Sequence, residues 1–372
     1  MRRWLAMYSR FDWTLLIAAL ALASLGLLIL FGVSLTRGTN DFFQFDKQIL
    51  GAAIGVTLAL LLAWVDYRQL RSLALPIYLA GAGILVSVLV FGTSHRNGGR
   101  WFALGALSFQ PVELVKITFV IYLAALFARH AHKRLTWSVL GGSALALLMY
   151  IGLILLQPDF GSATVLVAVW FAMVLFCGLP RHAWWILLVS ILSTVMLLWS
   201  VGLKPYQRDR ITSFLFPAAD PYGAAYNVAQ AQIAIGSGGW LGKGVGEGSQ
   251  ARLRFLPEAS TDFIFAVVGE ELGFVGLVVL LGLFGLLFFR YLRIAKMSDD
   301  PFAAICLVGL CAIIGYHVFV NSAMNLGMMP VTGIPLPFVS AAASSLIMMF
   351  LSVGIAEAIA VQSKGRYAID QS

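Results

Sequence analysis

Long apolar runs separated by short polar connections are the dominant pattern of this chain. They fall at about 13–35, 49–65, 73–92, 109–128, 137–156, 161–179, 182–203, 263–289, 302–325 and 338–362. Each is close to the roughly 20 residues a helix needs to cross a bilayer. Strict alternation of apolar and polar positions, the mark of a membrane barrel, is absent. The pattern predicts an all-α, polytopic membrane protein with ten transmembrane helices. The run at 263–289 amounts to about 40 Å of helix against a hydrocarbon core of about 30 Å, so part of it must tilt or protrude.

One connection departs from the rest. Residues 204–261, between the seventh and eighth runs, hold eight of the chain's 36 glycines, and structureless segments of that length are uncommon unless they serve a function. Within it "AAYNVAQAQIAI" (224–235) predicts a short helix with an apolar face, suited to the membrane interface. "GSGGWLGKGVGEGS" (236–249) predicts tight turns. It is not a nucleotide-binding phosphate loop, because Ser237 stands where the first glycine is required and Gly244 follows Lys243 in place of Ser or Thr. Its backbone amides could still contact an anion or serve only the turn. No second domain or internal repeat is visible, so residues 1–372 are expected to form a single integral-membrane domain.

Composition agrees: 60% of residues are hydrophobic, 11% are charged, and the mean hydropathy is +0.90. The net charge of +8 comes mostly from alternate connections, those holding Arg68, Arg71, Arg129, Arg134, Arg290 and Arg293 among others. The intervening short ones hold only Arg37, Lys47, Arg96 and Arg100. That bias places both termini in the cytoplasm and the 204–261 segment outside, and it gives no ground for a nucleic-acid partner. The first run has no small-residue cleavage site after it and reads as an uncleaved span. Cys177, Cys306 and Cys311 lie in or at the ends of spans and read as core thiols.

Ionisable residues inside or beside spans are expensive and mark candidate function. Glu113 and Lys116, in "FQPVELVKI", are three apart and share a helix face; they form either a stabilising pair or a charge source for a polar cavity. Asp159, in "QPDFGS", is placed to cap the helix that follows. Arg208 and Arg210 in "YQRDRI", with Arg100 in "GGRWF" and Lys243, are either scattered surface charge or a set that binds lipid phosphates. Asp262, preceded by Thr261 in "FLPEASTDFIF", opens the eighth span as a helix cap or as a chemical group. Glu270 and Glu271 lie off its helix face and make no close dyad with it. The histidines show no zinc spacing.

Taken together, "NGGRWFALGALSFQPVELVK", "QPDFGSA", "YQRDRI", "AIGSGGWLGKG", "FLPEASTDFIFAVVGEELGFVG" and "GIPLPFVS" resemble the SEDS family (shape, elongation, division and sporulation proteins). They occur in the family's order over nearly the whole chain. "MMPVTGIPLPF" and "FLPEASTDF" are more similar to the elongation branch than to the division branch. The resemblance implies a ten-span glycosyltransferase of the bacterial cytoplasmic membrane that polymerises lipid II into glycan strands on the extracytoplasmic side. It also implies a class B penicillin-binding protein as membrane partner and other elongation-complex proteins around it. It carries the essential aspartate onto Asp262 and the polar-cavity residues onto Glu113, Lys116 and Asp159.

Two departures stand out. Ser260 occupies a position where the family usually has His, and "SAAASS" (340–345) replaces the usual "SYGGSS". Chemically, Asp262 would take the proton of the acceptor hydroxyl. Cations such as Arg100, Lys116, Arg208 or Arg210 would neutralise the departing diphosphate, with a divalent ion, Mg or Mn, as an open alternative for which the sequence names no ligands. A flippase for lipid-linked precursors would share the spans and the cations but would not need a base. A scaffold would need neither.

Overall fold

The computed structural model describes residues 11–36, 42–92, 102–104, 107–130, 134–179, 205–217, 223–253 and 255–369. The long helices are α1 (Trp13–Thr36), α2 (Phe43–Leu62), α4 (Ala74–Phe91), α5 (Pro111–Ala128), α6 (Trp137–Leu156), α7 (Phe160–Cys177), α11 (Ile264–Met297), α12 (Pro301–Asn325) and α13 (Ala343–Ile369). Among the described residues these nine are long and apolar enough to cross a membrane. The run at 182–203 lies outside the described residues. The shorter helices are α3 (Arg68–Ser72), α8 (Pro205–Leu215), α9 (Ala224–Ser237) and α10 (Ser249–Arg252).

Two boundaries differ from the sequence expectation. Helix α2 begins at Phe43, ahead of the apolar run, because Gln44, Asp46, Lys47 and Gln48 continue the helix as a polar first turn and a half. Helix α13 begins at Ala343, since residues before it form a turn in which Phe338 has φ 64°. The all-α architecture holds, with one small addition. A small antiparallel hairpin pairs β1 (Phe102–Leu104) with β2 (Leu107–Phe109), too short to register as alternation, and it leads directly into α5.

Small residues set the closest helix contact. Gly51, Gly55 and Ala59 recur every fourth position on α2 and present one face to Ala343, Phe350 and Gly354 of α13. Close backbone approach through small residues is how helices associate in lipid, where burial of apolar side chains gives no driving force. A Cβ on Gly354 would lie 2.7 Å from Ala59 Cα and 2.9 Å from its carbonyl oxygen, backbone atoms that no rotamer change can move. Gly354→Val is therefore expected to destabilise the bundle by about 1–3 kcal/mol, read as a lower unfolding midpoint in detergent. An unchanged midpoint would show that α2 and α13 are not held at this spacing.

The long α11 does not simply tilt or protrude. It is interrupted at Gly273, which adopts φ 67° and ψ −164°. A helix broken at membrane depth must have its freed backbone groups satisfied by protein, and the glycine-rich segment does this. Lys243 and Gly244 N–H donate to the carbonyls of Glu270 and Glu271 at 3.0 Å each, while Phe274 and Val275 N–H donate to Gly239 and Trp240 at 2.9 and 3.1 Å. Gly239, Gly242, Gly244 and Gly246 all have positive φ, and side chains on Gly238 or Gly242 would collide with the α11 backbone. The amides of Lys243 and Gly244 are thus committed to α11, and the segment's composition is explained by this docking.

Candidate active site

Asp262 lies in the turn that precedes α11, and its backbone is pinned from α12. Asn321 and Asn325 each donate from Nδ2 to its carbonyl oxygen at 3.0 Å. Asn325 Oδ1 also accepts from Ala266 N–H at 3.2 Å, in the first turn of α11. Both asparagines are fully buried. The first residue before the helix is Phe263, and α11 receives no side-chain cap, so the capping reading of Asp262 does not hold. Two buried amides fix the main chain and leave the carboxylate to point elsewhere.

It points into a cavity of about 370 Å³, whose walls include Thr261 and Asp262, Gln44, Lys47 and Gln48 of α2, Gln110 and Ser344. Gly333 has φ 74°, and a Cβ there would come within 3.6 Å of Asp262 Oδ2. Burial pushes the Asp262 carboxyl up from the ordinary carboxylate range to about 6. The nearby Glu258 charge adds to the rise and the Arg210 guanidinium opposes it. The cause is desolvation, which penalises the charged form. A carboxylate whose pKa is raised toward neutral pH, facing a cavity lined by both polar and apolar groups, is suited to accept a proton.

The remaining wall is built by the segment between α12 and α13. Ser340 Oγ donates to Thr261 O at 2.7 Å and accepts from Leu336 N–H at 2.8 Å. Gln48 Nε2 donates to Ser340 O at 2.8 Å. Ser260 Oγ donates to Gln44 Oε1 at 2.9 Å, and Ala341 N–H donates to Ser260 O at 2.8 Å. The two departures noted in the sequence therefore touch. Ser260 meets Ala341, and Ala341, Ala342 and Ala343 all face the cavity.

Glu113 and Lys116 form the expected pair at 2.8 Å, but beneath the cavity rather than on its wall, at 3% and 2% exposure. Lys116 Nζ also reaches His317 Nε2 at 3.0 Å, and Glu113 Oε2 accepts from Ser345 Oγ at 3.2 Å. His317 donates from Nδ1 to Pro335 O at 3.1 Å, which leaves Nε2 as the acceptor for the ammonium. Pro335 lines the cavity, so the chain Glu113–Lys116–His317–Pro335 ends at its wall. Asp159 does cap α7: it accepts from Ser162 N–H at 3.2 Å and Ser162 Oγ at 2.9 Å. It also accepts from Gln110 Nε2 at 3.3 Å, which ties it to the same wall.

The cations separate. Lys243 lies 2.7 Å from the buried Glu270 carboxylate and also donates to Ser237 and Ser249, so it secures the glycine segment. Arg208 is exposed on α8 and Arg210 is half-buried there. Arg100 lies outside the described residues. Sequence reading missed His317, Asn321, Asn325, Lys47 and Gln110. The asparagines carried a legible signal, two polar residues four apart inside an apolar helix. Among the described residues no three His, Cys, Asp or Glu side chains gather where they could hold a metal.

An α-helical bundle of this kind, with Asp262 on the wall of a cavity of about 370 Å³, is that of a multi-pass membrane protein. The chain belongs to the FtsW/RodA/SpoVE family of cell cycle proteins, whose model matches residues 12–365, and it is a multi-pass protein of the bacterial inner membrane. The peptidoglycan glycosyltransferase MrdB of Escherichia coli K12 is 36% identical over 357 residues, covering 95% of this chain and 94% of the relative. A probable peptidoglycan glycosyltransferase FtsW of Geobacter metallireducens is 34% identical over 364 residues, covering 96% of each. Among solved structures, one chain of a peptidoglycan synthase complex that couples polymerization and crosslinking matches at a TM-score of 0.78 and 34% identity, covering 96% of this chain and 98% of that one. The rod shape determining protein RodA of Thermus thermophilus matches at a TM-score of 0.70 and 31% identity, over the same shares.

Proposed function

We infer that this protein is a peptidoglycan glycosyltransferase, and that it polymerises lipid II with Asp262 as general base. The observation that carries the assignment is the Asp262 carboxylate, set on the wall of the cavity by hydrogen bonds to its backbone alone. The acceptor hydroxyl gives its proton to Asp262, its oxygen forms a bond to the sugar carbon of the donor, and the bond from that carbon to the diphosphate breaks. A single displacement of this kind inverts an α-linked donor to a β-linked product. Glu113, Lys116 and Asp159 support the cavity from behind. The Lys and Arg distribution puts the cavity on the extracytoplasmic side. The elongation branch is favoured by the "MMPVTGIPLPF" segment, and a class B penicillin-binding protein is the partner that would cross-link the strands.

Purified protein supplied with fluorescent lipid II is expected to yield polymer. Lipid scrambling across vesicles without polymer would instead identify a flippase. The pH profile gives a second check with a definite sign. A base works when deprotonated, so a carboxyl with its pKa raised to about 6 should make turnover rise with pH through 6 and level off above 7. A profile still flat at pH 5 would mean that another group takes the proton.

A further inference from the structure

Three polar residues stand on one face of α12, inside an apolar span. His317, Asn321 and Asn325 are spaced four apart and all are buried, a placement that is expensive in a membrane and calls for a reason. None of them lines the cavity, so none touches what the cavity holds. Their bonds run instead to the backbone of two parts of its wall.

One part is the turn that carries Asp262. Three successive carbonyls of this turn are held from outside it. Ser260 O accepts from Ala341 N–H at 2.8 Å, Thr261 O from Ser340 Oγ at 2.7 Å, and Asp262 O from Asn321 and Asn325 Nδ2 at 3.0 Å each. The other part is the strip holding Gly333 and Pro335. His317 Nδ1 donates to Pro335 O at 3.1 Å, and Asn321 Nδ2 also donates to Ile334 O at 2.9 Å. Asn321 thus bonds to both parts with one amide nitrogen. Both partners are carbonyls, which only accept, so both Nδ2 protons are used. A Cβ on Gly333, the neighbour of Ile334, would lie 3.6 Å from Asp262 Oδ2, so Asn321 joins the two parts close to the carboxylate. Asn325 Nδ2 also donates to Asn321 O at 2.8 Å, and His317 Nε2 rests on the Lys116 ammonium at 3.0 Å.

We propose that His317, Asn321 and Asn325 are positioning residues for the transfer, a ladder on α12 that holds Asp262 and the Gly333–Pro335 strip at a fixed separation. This deepens the glycosyltransferase reading and rests on it. Asp262 and the strip share one cavity, so their separation sets where an acceptor hydroxyl can stand against the carboxylate. A misplacement of about 1 Å at such a site costs about a hundredfold in rate. Asn321 is the central rung because it alone among the three bonds to both parts.

The test uses full-length protein in nanodiscs. Asn321→Leu, close in size and without donors, should lower kcat about ten- to a hundredfold and leave KM for lipid II unchanged, since the residue is not on the cavity wall. The Asp262 carboxyl, read by difference infrared spectroscopy against Asp262→Asn, should titrate below the wild-type midpoint. Burial is the main cause that holds it at about 6, and a loosened turn admits water and moves it toward the ordinary value of about 4. The charges acting on it are Glu258 and Arg210, with Lys47 on the same cavity, and Asn321 bonds to none of them. His317 gives a second arm that keeps the residue polar. His317→Asn retains a donor in the place of Nδ1 and should keep most of the turnover, whereas His317→Gln retains only the Lys116 contact and should lose it. An Asn321→Leu protein with wild-type kcat, or with a lower kcat and an unmoved midpoint, would overturn the proposal, as would equal losses in the two His317 variants. Wild-type protein that makes no polymer would remove the glycosyltransferase reading, while the carboxyl midpoint, which needs no turnover, would still report whether Asn321 holds Asp262 in place.

Discussion

Asp262→Asn is expected to abolish glycan polymer formation, lowering turnover by about a hundred- to ten-thousand-fold, the range over which a general base contributes. The substitution is nearly isosteric, and the structural bonds of this residue run through its carbonyl, which accepts from Asn321 and Asn325. Among the described residues the carboxylate itself takes no hydrogen bond. The variant should therefore fold and enter the membrane as the wild type does, which makes the loss of polymer a chemical result. Polymer at normal yield would remove Asp262 from the reaction, and the pH dependence would have to be assigned elsewhere.

The second large effect concerns Glu113 and Lys116. Both are almost wholly buried, at 3% and 2% exposure, with 2.8 Å between them. Removing one member of such a pair strands the other charge away from water, which costs about 3–5 kcal/mol. Lys116→Met should lower the unfolding midpoint sharply in detergent. The double substitution Glu113→Gln with Lys116→Met should recover most of that loss, because no unpaired ion is left. If the double variant proves as unstable as the single one, the pair is not what the Lys116 ammonium balances, and its contact with His317 at 3.0 Å becomes the stronger claim.

The same residues show how far sequence reading extends. Apolar runs located nine spans among the described residues because lipid imposes length and composition on any helix that crosses it. Asp262 was legible because a carboxylate at the door of an apolar run needs a reason. Glu113 with Lys116 followed from helical spacing, and Asp159 as a cap followed from its place before Phe160. Lys243 was misjudged. From sequence it was one more outer cation, whereas the fold sets it against Glu270, 27 residues away, a partner no local spacing could supply.

What the chain alone determined is the membrane-spanning architecture and which charged residues are too costly to be incidental. Both follow from the transfer energies of side chains, which act position by position. Only the tertiary structure decided how α11 is broken at Gly273 and held by the glycine segment, and that Lys243 is committed to Glu270. It also decided that Asn321 and Asn325 of α12 hold the backbone of Asp262. Those outcomes depend on hydrogen bonds between residues distant in sequence, formed where the bilayer offers no water in their place, and no window along the chain contains both partners.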